Sequence, residues 1–293
     1  MPRHLTAGSA RRRRTNRSVS TVARSAGVGL AIAIWLGLVL GPFGWMLLTS
    51  MTPGVELGSV SGPLIPSSLT LDSYRQLLGQ TPFLQYLANS LIVAPGTAIV
   101  GTSVALLAAT ALTRYQFRAR PIVIGGLLAI QLLPTVLLVI PLYSELAALH
   151  LINSLPGLII VDTTFVTPFA TWLLKGFLDQ IPREVIEAAR VDGAGIVTLI
   201  RRILLPLAWP GIAAAATYCF IYSWNEFLFA LTFTADNSTH TVPVGLDLFI
   251  GNYIIRWDLL TAGGVVAALP TFLGFLLMQR QLIAGLTSGA VKT

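Results

Sequence analysis

Long apolar runs separated by short polar ones set the pattern of this chain. Helices rising ~1.5 Å per residue must cover about 30 Å of hydrocarbon. Six stretches are long enough, near 28–50, 88–112, 121–144, 156–178, 206–233 and 260–281. The first, second, third and sixth carry no Asp, Glu, Lys or Arg through their centres. Hydrophobic residues make up 54% of the 293 and charged ones 11%, with mean hydropathy +0.76; soluble domains carry about 25% charged residues. The expectation is an all-α integral membrane protein, a single six-span domain over 28–284 between a basic, disordered tail (1–27) and a short C-terminal tail (285–293). No internal repeat with a period of roughly 20–50 residues interrupts it.

Charge fixes the orientation. The net charge is +7 and the pI about 10.1, values that invite a nucleic-acid reading. With the N-terminus cytoplasmic, every Lys and Arg except Arg75 and Arg256 falls on the cytoplasmic side. That is the asymmetry of the positive-inside rule, so both termini are expected in the cytoplasm, Arg11 to Arg14 face lipid headgroups, and no nucleic acid is involved. The run from Val28 to Ser50 is too long for the apolar core of a signal peptide. Cys219, the one cysteine, lies inside the fifth stretch and reads as packing.

Two loops on the opposite side are substantial. The first, about 51–87, contains Thr70-Leu-Asp-Ser-Tyr, the start of a short helix capped by Thr70 or Asp72. The second, about 234–259, opens on the turn Asp236-Asn-Ser. Pro95, Pro134, Pro168, Pro210 and Pro270 fall inside spans, either as hinges or as prolines whose freed carbonyls neighbouring groups satisfy.

One polar segment stands apart, a charged island at about 179–206. Pro182 suits a first helical turn, Glu184 and Glu187 sit where the helix dipole favours acids, and Asp192-Gly193 ends the helix with a residue free to turn left-handed. Leu199, Ile200, Ile203 and Leu204 then lie on one face of a second helix, with Arg201 and Arg202 at headgroup level and Pro206 opening the next span. By spacing alone this is either an interfacial amphipathic loop or a protein-docking element.

The order Glu187-Ala-Ala, Asp192-Gly-Ala, Ile203 and Leu205-Pro206 resembles the cytoplasmic "EAA" loop of binding-protein-dependent ABC importer permeases. Ile200 departs from it, standing where the sugar members usually carry an aromatic. Asn89-Ser-Leu, Arg114-Tyr-Gln-Phe-Arg, Leu133-Pro-Thr, Ile140-Pro-Leu-Tyr, Pro168-Phe-Ala-Thr-Trp, Trp224-Asn-Glu-Phe-Leu and the tail from Gly285 to Lys292 are similar, in order and spacing, to the maltose-type carbohydrate uptake branch. The resemblance implies a type I importer permease in the bacterial plasma membrane. Its partners would be a second, homologous permease, two ABC ATPase subunits that bind ATP and Mg, and an extracytoplasmic sugar-binding protein. ATPase contacts would come from Glu184, Glu187, Ala188, Ala189, Arg190, Asp192, Gly193, Ala194, Ile203 and Pro206, and from Gly285, Thr287, Ser288 and Gly289 in the tail.

The chain lacks a P-loop: neither Lys175 nor Lys292 sits in a Gly-Lys-Ser/Thr context. Three histidines and one cysteine offer no metal cluster, so no cofactor and no enzymatic role is expected. Inside the membrane, Asn89, Trp224, Asn225 and Glu226 are candidates to line a substrate path, against a reading in which they bond between helices. Asp162 reads as structural, near the outer end of its span. A competing class, an ion-coupled carrier, would use Asp162 and Glu226 to bind cations.

Overall fold

The computed structural model describes residues 8–57, 66–251 and 253–288. Fourteen α-helices appear among them: α1 (Gly8–Ser50), α2 (Gly54–Leu57), α3 (Asp72–Gln80), α4 (Phe83–Arg114), α5 (Arg120–Ile130), α6 (Val139–Ala148), α7 (Leu155–Leu178), α8 (Arg183–Val191), α9 (Ile196–Thr198), α10 (Leu205–Leu207), α11 (Trp209–Trp224), α12 (Leu228–Phe233), α13 (Val242–Asp247) and α14 (Trp257–Ser288). A 3-10 turn (Thr135–Leu138) leads into α6, and a π-helix (Leu199–Leu204) joins α9 to α10. Helix α1 extends through the basic segment that the charge pattern assigns to a tail; residues 1–7 lie outside the described residues.

Helices α4, α7 and α11 form the central bundle, with α14 against α11 and α1 against α14. Small residues bring them together. Along α4, Ala94, Ala98, Gly101, Ala105 and Ala109 are buried in the bundle, the composition that lets membrane helices approach closely without a hydrophobic driving force. A Cβ on Gly101 would stand 2.8 Å from Val166 Cγ2 on α7 and 3.6 Å from Cys219 Sγ on α11. Cys219 is buried there and serves as packing. Between the same helices the Ser223 hydroxyl lies 2.5 Å from the Asp162 carboxylate and 3.3 Å from the Thr97 hydroxyl. Asp162 is 1% exposed, deeper than the expected wetted position.

Among the described residues four helical segments are long and apolar enough to cross a membrane, and a fifth if one bent pair counts as a span. Two expected spans need correction. The third, 121–144, is broken: α5 ends at Ile130, residues 131–134 leave the helix, and Pro134 takes an extended conformation with ψ 118°. The residue before proline is pushed out of the helical region and the proline offers no N–H, so neither piece alone is long enough to span. The fifth starts at Trp209, not Pro206. Pro206 belongs to α10, and the Leu199–Leu207 segment meets α11 at 79°. The helix then stops at Trp224, leaving Asn225, Glu226 and Phe227 in a break before α12.

Gly101→Val is expected to force the stiff Val166 side chain away and to destabilise the bundle by about 1–3 kcal/mol. The check is thermal unfolding of the detergent-purified protein, read beside Gly125→Val, where a Cβ meets nothing within 4 Å.

Candidate functional site

The charged island is built onto the end of the bundle where α4 and α7 finish. Arg114, the last residue of α4, donates from Nη2 to the Leu178 carbonyl at the end of α7 at 3.0 Å. One turn earlier Lys175 pairs with Asp179 at 2.5 Å. A cation beside the open carbonyls of a helix C-terminus is favourably placed. Ile181 is buried, Pro182 precedes the helix, and α8 then presents two different faces.

Its inner face carries Ile186 and Ala189, 5% and 7% exposed, in one cluster with Ala105, Leu106 and Ala109 of α4, Leu174 and Leu178 of α7, and Leu199 and Leu204. Its outer face, at spacing i, i+3, i+4, i+7, carries Glu184, Glu187, Ala188 and Val191, all exposed. Val191 is 88% exposed, a bare valine among charges.

The helix ends at Gly193, whose φ is +82°. The Ala194 N–H donates to the Ala189 carbonyl at 2.9 Å, the long bond of a Schellman ending. A left-handed residue here is what sequence reasoning expects of Gly193. The chain then runs through the π-helix, a rare geometry frequent at functional positions, and turns through 79° into α11.

The structure thus gathers Glu184, Glu187, Ala188, Asp192 and Gly193 on one exposed surface and leaves Pro206 exposed further on; Ala194 and Ile203 are half-buried. It corrects Ala189, which turns inward. The side chains of Arg190, Gly285, Thr287 and Ser288 lie outside the described residues, although the last three fall within α14; Gly289 lies outside them altogether. Val191 was missed. Its signal was present in the spacing, since it lies four residues after Glu187 and seven after Glu184, on their face.

The interior polar residues make hydrogen bonds that hold the fold. Asn89 is 1% exposed. Its amide donates to the carbonyls of Ser238 and His240 at 2.9 and 2.8 Å and accepts from Gln85 at 2.9 Å, so it ties α4 to the 234–241 loop. Trp224, 4% exposed, donates to the Ala267 carbonyl at 3.2 Å and joins α11 to α14. Glu226 caps α12: its two oxygens accept from the Phe229 and Ala230 N–H groups at 2.8 and 2.9 Å. Of the four path candidates only Asn225 is exposed, its amide bonded to the Ile221 carbonyl at 2.7 Å.

In the same outer loop the Ser238 hydroxyl and the Asn153 amide, with the Ser238 N–H, donate to Asp236. These bonds hold its carboxyl below the usual carboxylate range.

Residues 82–285 match the family described as "Binding-protein-dependent transport system inner membrane component". The chain belongs to this family and is an ABC transporter permease subunit, a multi-pass protein of the cytoplasmic membrane. Two relatives illustrate the likeness. It is 35% identical over 263 residues to the inner membrane ABC transporter permease protein YcjP of Escherichia coli, covering 89% of this chain and 94% of that one. It is also 35% identical over 259 residues to the trehalose transport system permease protein SugB of Mycobacterium tuberculosis, covering 88% and 94%. Among solved structures, a chain of a bacterial ABC transporter involved in the import of the acidic polysaccharide alginate matches with TM-score 0.76 at 18% identity, over 96% of this chain and all of that one. The fold is that of type I importer permeases. An ion-coupled carrier finds no support in these relatives, and Glu226, one of its two carboxylates, is a helix cap.

Glu226→Ala is expected to leave two N–H groups uncapped, a loss of about 0.5–2 kcal/mol. Hydrogen exchange should speed up in the peptide covering Leu228–Phe233, and Glu226→Gln should recover part of the protection. For Asp236 the folded pKa lies below the unfolded one, so its stabilisation is present above the unfolded value of about 3.9 and is lost as pH falls through the folded value. Pepsin cleavage of the 234–241 loop should therefore rise steeply at the acid end in the wild type and depend little on pH in Asp236→Asn.

Proposed function

We propose that this chain is half of the translocation pathway of a carbohydrate importer, paired with a second, homologous permease and driven by two ABC ATPase subunits that bind ATP and Mg. Both termini and the charged island face the cytoplasm, as the placement of the basic residues argues. The third and fifth of the six crossings are broken ones. An extracytoplasmic binding protein delivers solute to the outer loops at 51–87 and 234–259. Carbohydrate as cargo is supported by the trehalose transport of SugB and the alginate import of the structural neighbour, and by the maltose-type strings along the sequence.

The observation that carries the mechanism is the two-faced α8. Its outer face offers Glu184, Glu187, Ala188 and Val191 to the ATPase subunit, while its inner face is already part of the bundle core. Closure of the ATPase pair on ATP moves α8. Because Ile186 and Ala189 share one hydrophobic cluster with residues of the π-helix, α4 and α7, the movement passes to the spans and opens the cavity outward; hydrolysis resets it. No bond in the solute changes, and the coupling is conformational. Gly285, Thr287 and Ser288 at the end of α14, with Gly289 after them in the sequence, add a second contact to the ATPases.

Val191→Glu and Glu187→Arg alter only exposed positions, so the permease should remain monodisperse. Recovery of the ATPase subunit on a tagged permease in mild detergent should fall roughly tenfold or more, the effect of losing about 1.4 kcal/mol or more from an interface centre. Undiminished recovery in both variants would exclude the outer face of α8 as the docking surface.

A further inference from the structure

Four aromatic rings form a continuous ladder on the face where α7 meets α11. The Trp172 and Phe169 ring centroids are 5.8 Å apart, Phe169 and Tyr218 are 4.5 Å apart, and Tyr218 and Tyr222 are 6.3 Å apart. The two helices run in opposite directions, since Phe177 lies against Gly211 near the start of α11 and Phe165 stacks on Phe229 beyond its end. At ~1.5 Å per residue the ladder therefore extends about 10 Å along the helix axes, a third of the ~30 Å hydrocarbon layer. Its upper end approaches the break at Asn225, whose amide is exposed. Its lower end, Trp172, borders a cleft of about 370 Å³ between α5 and α7 that also contains Lys175, Asp179 and Gln180.

An aromatic stripe at helical spacing is ordinarily core. This one is not closed over: Trp172 is 50% exposed, and Phe169, Tyr218 and Tyr222 are all partly exposed. The core rings nearby, Phe165 and Phe229, are buried at 8% and 1%. Neither tyrosine hydroxyl has a hydrogen-bond partner among the described residues. In hydrocarbon an unpaired hydroxyl is penalised, so a face offering two of them suits a wet lumen rather than lipid.

We propose that this ladder is the track along which the solute passes through this subunit. The apolar faces of successive pyranose rings slide over the four aromatic rings, and the Tyr218 and Tyr222 hydroxyls and the Asn225 amide exchange hydrogen bonds with sugar hydroxyls. Overlapping, individually weak contacts let a saccharide move without a deep trap on the way. The proposal rests on the carbohydrate reading above and adds to it where in this chain the sugar goes.

The test uses the whole complex (this chain, its partner permease, the ATPases and the binding protein) in nanodiscs and proteoliposomes, with radiolabelled maltose and trehalose as probes. In a Cys219→Ala background, Phe169→Cys, Trp172→Cys, Tyr218→Cys and Tyr222→Cys are each treated with a sulfonated methanethiosulfonate and with an apolar maleimide. All four should react with the charged reagent, and the transported sugar should slow that reaction. Tyr218→Leu and Tyr222→Leu should each lower sugar uptake roughly threefold to tenfold, as expected for losing one ring contact, with the yield and subunit composition of the purified complex as in the wild type. Reaction with the apolar reagent alone would place the rings in lipid. Labelling that appears only when the partner permease is omitted would place them in the subunit contact. Either overturns the track while wild-type uptake leaves the carbohydrate reading standing. Wild-type complex that moves neither sugar nor any other carbohydrate offered removes both.

Discussion

Hydrocarbon offers nothing to a backbone N–H or C=O, and every other feature of this permease is arranged around that fact. A helix satisfies its own interior and leaves its ends bare, so each place where a helix stops inside the bundle must supply a substitute. The substitutes can be named one by one. Glu226 accepts the two N–H groups that open α12. Ser154 caps α7 through the Gly157 N–H at 3.1 Å. Arg114 donates to the last carbonyl of α7. What resemble stray polar residues in an apolar sequence are largely the groups that permit a helix to end where it does.

The same constraint gives the proposed coupling to the ATPases its route. An α8 lying free on the membrane face could be displaced without consequence for the spans. Here its inner residues share one hydrophobic cluster with α4 and α7. The water-side alternative for a side chain such as Ile186 is unfavourable by about 1.5–3 kcal/mol, so α8 and the bundle end shift together. The Schellman ending at Gly193 and the 79° turn into α11 make the return path equally definite. A force on the outer face of α8 thus reaches α4 and α7 through packed side chains and α11 through the chain itself.

Much of this was legible in the order of residues. Apolar length located the first, second, fourth and sixth membrane helices, and Pro182, Glu184, Asp192 and Gly193 marked both ends of α8, because caps and dipoles are local chemistry. The third and fifth spans were misread because hydropathy is blind to where a helix breaks. The run through Pro134 is as apolar as an intact span, and Asn225-Glu226 ahead of an apolar run reads equally well as mid-span polarity or as a helix start. The ties that Asn89 and Trp224 make were illegible for a different reason. Their partners, the carbonyls of Ser238, His240 and Ala267, lie dozens to well over a hundred residues away, and no local pattern announces such a contact.

Those ties bear on where solute can pass. Groups that polarity and position nominate for a path, Asn89 and Glu226, have hydrogen-bonding capacity taken by backbone and, for Asn89, by Gln85, and a sugar could reach them only by dismantling a loop tie or a helix cap. The side chains left with unspent capacity are weaker candidates by sequence, the tyrosines of α11 among them. A transporter needs such groups: contacts strong enough to hold architecture are too strong to release cargo, whereas partly exposed rings and single hydroxyls bind briefly. In this permease the strong hydrogen bonds hold helix ends in place, and the proposed track lies on the surface those bonds leave untouched.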